Sequence, residues 1–169
     1  QCLIGNNHHE AIKQGEDFQM FEKDLPGKNT TGWGTAADQI GSVPLEVCET
    51  INGTWGFNLK DNKHKSKKKI VQYLVKAAGY NSNLLLNVGP MPNGRIQQEH
   101  IDVLKEVGEW LEIYGKTIYK TRGGPVKTTD EIASTQLGNT VFLHFLNNKK
   151  KSYFLENYSP KIKSLKYFN

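Results

Sequence analysis

The sequence is poor in cysteine and has no long apolar run. Cys2 and Cys48 are the only two cysteines among 169 residues, and neither has a second Cys or a His at ligand spacing, which excludes a thiolate zinc site. Two thiols leave the redox compartment open. No apolar stretch approaches the roughly 20 residues that a membrane-spanning helix needs, so no membrane span is expected. The chain also lacks an initiator Met and a basic-then-apolar leader. Its start, QCLIGNN, reads as the middle of a strand, and the expectation is a fragment or a processed chain.

Hydrophobic residues at 37% and charged residues at 23% lie in the globular range. The length suits one domain, or one domain and part of another. A net charge of +5 comes largely from lysines at 63, 65, 67–69 and 149–151, a balance that permits nucleic-acid or acidic-glycan contact without requiring it. The lysines at 63–69 sit at a helix start with no interleaved aromatics. They therefore read as its solvated face, and no nucleic-acid partner is expected. Asn-x-Ser/Thr sequons begin at Asn29, Asn52 and Asn157 and matter only in a secretory setting.

Along the chain, Cys2-Leu3-Ile4 reads as a short strand delivering Gly5, Asn6, Asn7, His8 and His9 to its end. In a β/α architecture that end is the functional rim, although a hairpin turn with exposed histidines fits as well. Adjacent residues on a strand point to opposite faces, which argues against a metal site built on His8 and His9. Gly15 to Gly27 (GEDFQMFEKDLPG) reads as a loop that mixes Glu16, Asp17, Glu22 and Asp24 with Phe18, Met20 and Phe21. Such a mixture can hold one carboxyl group against apolar surface, where desolvation suits it to general-acid work; solvation or pairing with lysines is the plainer alternative. Lys28 to Val43, with Trp33, reads as a long irregular loop. Trp55 and Phe57 flank Gly56 and offer either core packing or an aromatic plane for a sugar.

Ser66 to Ala78 has helical spacing, with Ser66 as N-cap, Ile70, Leu74, Ala77 and Ala78 on one face, and Gly79 as the stop. Asn83 to Pro90 (NLLLNVGP) reads as a strand buried on both sides, and Gln97 to Tyr114 as an amphipathic helix ended by Gly115. This alternation predicts an α/β fold with a parallel sheet or barrel. Past Gly124 the pattern becomes β-only, with strands at 140–146, 150–155 and 162–168. A domain boundary is placed there, dividing residues 1–124 from 125–169.

Several stretches together resemble one family. GNNHH at 5–9, EDFQMFEKDLPG at 16–27, LEVCETINGTWGFN at 45–58, NLLLNVGPMPNGRI at 83–96 and VGEWLEIYGKTIY at 107–119 are similar, in this order, to α-L-fucosidases of glycoside hydrolase family 29. The resemblance implies the C-terminal portion of a (β/α)8, TIM-type barrel followed by a partial β-sandwich. It also implies retaining hydrolysis of terminal α-L-fucosyl residues of glycans, with no cofactor and no metal. Retention requires two carboxyl groups, a nucleophile and an acid/base. On the matching positions Glu22 takes the acid/base role, with Asp17 as its nearest rival and Glu46 and Glu49 as support for the loop. Trp55 matches an aromatic of the fucose pocket. His8 stands where many relatives carry Arg, and a sugar contact is expected of it.

The family's nucleophile is an Asp on an earlier strand, and no residue of this chain matches it. The implied partner is a fucosylated glycan; the oligomeric state is open. The implied setting is periplasmic or secreted in a bacterium, lysosomal or extracellular in a eukaryote. A reading from a different class is a non-catalytic fucose-binding fragment that uses Trp33 and Trp55 as stacking platforms.

Overall fold

A computed structural model describes residues 2–7, 9–30, 32, 40, 42–147, 150, 152–155 and 161–168. The first part is a four-stranded, wholly parallel sheet in the order β1 (Gly5–Asn6), β2 (Phe18–Glu22), β3 (Leu45–Thr50) and β4 (Ser82–Asn87). Parallel neighbours need a crossover, and between β3 and β4 it is helix α1 (Lys67–Gly79). A second helix, α2 (Gln98–Tyr114), follows β4 and runs into a 3₁₀ turn at Gly115–Thr117. Among the described residues the sheet is open and does not close into a barrel.

The period of two in β2 and β3 decides which side chains meet the helices. Gln19 lies opposite Leu45 and Phe21 opposite Val47, and Val47 in turn lies opposite Leu84. Phe21, Leu45 and Val47 form one buried cluster with Leu25 and Ala77, flanked by Tyr73, Tyr80 and Leu84. A second cluster joins Ile51 and Ile70 to Val103 and Val107. Phe18, Met20, Glu22, Cys48 and Leu85 have the other parity and face away from the helices. Gly15 to Gly27 is therefore not a loop throughout: FQMFE is a strand with every second side chain buried, and Glu22 is its last residue.

The helices follow their apolar spacing closely. Ser66 caps α1 through its carbonyl, which accepts the Ile70 N–H at 3.1 Å, and not through its hydroxyl. Gly79 is the last helical residue, and the chain turns at Asn81, whose φ is 60°. The buried face of α1 is Ile70, Val75 and Ala77; Ile70 and Ala77 are as expected, while Val75 is buried in place of Leu74, and Ala78 is only partly buried. The β4 strand is not buried on both sides. Leu84 and Leu86 pack against the helices, while Leu85 is 53% exposed on the opposite face.

A three-stranded antiparallel sheet follows: β5 (Arg122–Gly123), β6 (Ile132–Leu137) and β7 (Thr140–Phe145). The expected strand at 140–146 is β7, but its partner is β6, reached across the tight turn at Gly138 (φ 56°). The strands expected at 150–155 and 162–168 are not formed among the described residues. IASTQL is short of bulky β-formers because it packs against backbone. A Cβ on Gly124 would lie 2.4 Å from Ser134 Oγ, and one on Gly79 would lie 3.2 Å from Ala133 Cβ. Asp130 ties this sheet to the first part, accepting from Lys28 at 2.8 Å and Lys76 at 2.7 Å. Those two lysines hold its carboxyl down at about 2.

Phe21 is fully buried at the centre of the first cluster. Truncation to Ala should destabilise the chain by about 3–5 kcal/mol through lost burial and a cavity. Leu59→Ala, at a position 89% exposed, should shift stability by no more than about 0.5 kcal/mol. Urea denaturation of the two variants against wild type checks the contrast.

Candidate functional site

The end of β2 brings together groups that are far apart in the chain. Glu22 is half-buried. Its Oε2 accepts from Asn7 Nδ2 at 2.8 Å, and its Oε1 accepts from Trp55 Nε1 at 3.0 Å. Each carboxylate oxygen thus has one N–H donor and keeps a second lone pair. The carboxyl group is held in place by these two N–H donors. Its position is the C-terminal end of a parallel strand, where β/α folds place their chemistry.

Trp55 is also held through its own main chain. Its carbonyl accepts from Asn87 Nδ2 at 2.8 Å, and the same amide donates to Thr50 Oγ1 at 3.1 Å. Gly56 lies directly against Gly89: a Cβ on Gly89 would sit 2.5 Å from the Gly56 carbonyl carbon and 2.7 Å from the Phe57 nitrogen. Only glycine permits that approach. Lys23 Nζ lies 5.0 Å from the Trp55 ring centroid and donates to the Gly53 carbonyl at 3.0 Å. Under the loop, Asp61 Oδ2 accepts the N–H groups of Gly53 at 2.7 Å and Thr54 at 2.8 Å, together with Asn52 Nδ2 at 3.1 Å.

The other acids of the 15–27 stretch serve main chain. Asp17, at the opposite end of β2 from Glu22, accepts the Ile4 N–H at 2.8 Å. Glu16 accepts the Lys13 N–H at 2.6 Å, and Asp24 the Thr30 N–H at 2.8 Å. Glu49 pairs with Lys65 at 3.2 Å on the helix-facing side. Glu46 shares the face of Glu22 but pairs in register with Met20, nearer the start of the strand. Cys48 is the strand partner of Glu22; burial first, and the Glu22 carboxylate second, push its thiol up. His8 and Trp33 lie outside the described residues. The reading from sequence put Asn7 and His9 at the rim without naming their contacts, and missed Asn87. The strand-end motifs GNNHH and NVGP were the available signal, but nothing in them names a partner.

Among the described residues, no group of three or more His, Cys, Asp or Glu is arranged to hold a metal ion, and no helix is long and apolar enough to cross a membrane. Two surface concavities, one along Thr54 and residues 56–60 and one between α1, β4 and residues 118–122, are not lined by Glu22.

A carboxyl group and an indole joined at the open ends of parallel strands place the chain in the β/α class whose sites are built on strand ends. The sequence profile of the family described as alpha-L-fucosidase matches residues 1–116. The human tissue alpha-L-fucosidase is 33% identical over 110 residues, covering 60% of this chain and 23% of the relative. Among solved structures, alpha-L-fucosidase isoenzyme 1 from Paenibacillus thiaminolyticus superposes with a TM-score of 0.66 at 35% identity, covering 78% of this chain and 30% of that one. The Thermotoga maritima alpha-fucosidase in complex with a mechanism-based inhibitor gives 0.62 at 29% identity, covering 78% and 29%. The chain belongs to the α-L-fucosidase family, and its match spans under a third of the length of these relatives.

Asp61 links this loop to pH. Burial pushes its carboxyl up, but the N–H groups of Lys63, Thr54 and Gly53 and the Thr54 hydroxyl outweigh burial, and the net shift is downward. A depressed carboxyl contributes stability that is complete above its unfolded value near 3.9 and is lost as pH falls through the lower folded value. The amide N–H resonance of Gly53, which donates to Asp61 Oδ2 at 2.7 Å, should therefore hold its position down to about pH 4 and move below it. In Asp61→Asn that acid transition should be absent, with the resonance already displaced at neutral pH.

Proposed function

We propose that this chain supplies the acid/base half of a retaining exo-α-L-fucosidase site, with Glu22 as acid/base and Trp55 as a wall of the fucose pocket. The observation that carries the reading is the carboxyl group of Glu22, held between Asn7 and Trp55 at the open end of β2. Fucose has an apolar C6 methyl edge, and an indole anchored through its nitrogen leaves its ring available to that edge. Protonated Glu22 would donate to the glycosidic oxygen as the bond to the anomeric carbon breaks. The resulting carboxylate would then take a proton from the water that releases fucose. The attacking carboxylate is assigned to no residue here and would come from chain outside these residues. In retaining glycosidases the two carboxyl groups lie about 5–5.5 Å apart.

On this reading residues 1–124 are the C-terminal portion of a TIM-type barrel and residues 125–169 the beginning of a β-sandwich. The exposed face carrying Leu85 would then be the barrel's interior side. A fucosylated glycan is the substrate, and His8 is a sugar contact at the rim. The setting is periplasmic or secreted for a bacterial protein, and lysosomal or extracellular for a eukaryotic one; human tissue and plasma fucosidases are among the relatives.

In the intact enzyme, Glu22→Ala should slow glycans with poor leaving groups by about 10²–10⁴-fold and activated aryl fucosides far less, because the latter need no proton at the departing oxygen. Azide should restore the variant and give an α-fucosyl azide, because it replaces water in attacking the β-linked fucosyl-enzyme with a second inversion. Equal loss on both substrate classes would overturn the role of Glu22. The 169 residues alone should not turn over an aryl α-L-fucoside; turnover abolished by Glu22→Gln would instead place both carboxyl groups in this chain. Fucose binding by the intact protein without any turnover would favour the non-catalytic reading.

A further inference from the structure

The amide of Glu22 has an unusual partner. A strand residue ordinarily gives its N–H to the neighbouring strand, but β1 ends at Asn6, whose register partner is Gln19. At the level of Glu22 the ladder has run out. The Glu22 N–H instead donates to His9 Nε2 at 2.7 Å. The imidazole thus stands in for the missing strand.

Its own placement is closely determined. His9 is fully buried, and its ring stacks on Phe21 with centroids 5.3 Å apart and 15° between planes. The backbone at His9 is left-handed, with φ 54°, a conformation that non-glycine residues seldom adopt without a constraint holding them there. Because Nε2 accepts an N–H, it carries no proton, and the ring is the neutral tautomer protonated on Nδ1. Nδ1 faces Asp24 Oδ2 at 4.0 Å, and Asp24 is fixed by the N–H and hydroxyl of Thr30. On the other edge of β2, the Lys23 N–H donates to the Cys48 carbonyl at 2.8 Å, and Lys23 is also left-handed, at φ 57°. The Glu22 peptide is thereby gripped on both edges of its strand.

We infer that His9 is a positioning residue for the reaction: through Nε2 it fixes the main chain of Glu22, and so aims the carboxyl group at the departing oxygen. This rests on the acid/base reading of Glu22. A residue that only packs against Phe21 would need an aromatic ring; one that aims Glu22 needs an acceptor at the Nε2 position. Substitutions separate the two requirements. His9→Phe keeps the ring and removes the acceptor. His9→Gln removes the ring and keeps an oxygen close to that position.

The test is kinetic, in the intact enzyme, on a fucosyl disaccharide and on an activated aryl fucoside, with Glu22→Ala in parallel. His9→Phe should lower kcat on the disaccharide by about ten- to a hundredfold, as a misaimed catalytic group does. It should leave KM and the aryl fucoside within about threefold, and His9→Gln should recover most of the loss. Equal loss on both substrates in His9→Phe, or no loss on either, overturns the role while Glu22→Ala still discriminates between leaving groups. If Glu22→Ala does not discriminate, the acid/base reading itself has failed. Should His9→Phe not fold, His9→Leu against His9→Gln makes the same comparison, and a Gln variant as impaired on the disaccharide as the Leu variant overturns the acceptor role.

Discussion

The pairing of β2 with β3 fixes almost everything else. With Phe21 opposite Val47 and Glu22 opposite Cys48, parity sends the first pair into the helix-facing core and the second to the opposite face. Slipping the strand by one residue would bury Glu22 among aliphatic side chains and expose Phe21. Burying an unpaired carboxylate costs several kcal/mol, and exposing Phe21 forfeits roughly 1.5–3 kcal/mol of hydrophobic stabilisation. The two penalties act in the same direction, so the position of the carboxyl group follows from the packing of its neighbour.

The acids around Glu22 show how a charged cluster divides its work. Asp17 closes the start of β2, Glu16 holds the turn before it, and Asp24 holds the chain after it. Each accepts a main-chain N–H, to which Glu16 adds the Asn6 amide and Asp24 the Thr30 hydroxyl. Glu22 alone of these is held by an amide and an indole from distant segments. Trp55 is constrained in a similar way: Asn87 and the contact of Gly56 with Gly89 fix its main chain. The rim is assembled from side-chain amides and close backbone contacts, and the carboxyl group and the indole nitrogen meet on it.

Much of this was legible in the sequence, and the rest failed for identifiable reasons. Both helices stand where apolar spacing puts them, because a period of 3.6 over more than a dozen residues is hard to imitate. Strand β4 was found, but its burial was overstated, since a run of leucines looks the same whether one face is covered or both. FQMFE was taken for part of a loop because its acidic neighbours masked a five-residue alternation. Strand β6 was missed because Ala133, Ser134 and Thr135 are small for the sake of close packing, and smallness is also how loops look. The contacts of Asn7, His9 and Asn87 were beyond reach. Their partners lie 15, 13 and 32 residues away, and only the fold brings them together.

Asn52 sits in an Asn-Gly-Thr sequon, yet its amide is buried at 1% exposure and donates to Asp61 and to the Thr54 hydroxyl. A glycan would have to be attached to that same nitrogen. In a compartment that glycosylates nascent chains, sugar transfer and closure of the loop beneath Trp55 would compete for one atom, and whichever came first would exclude the other. In such a compartment the turn beneath the indole would also be the site of a kinetic race between modification and folding.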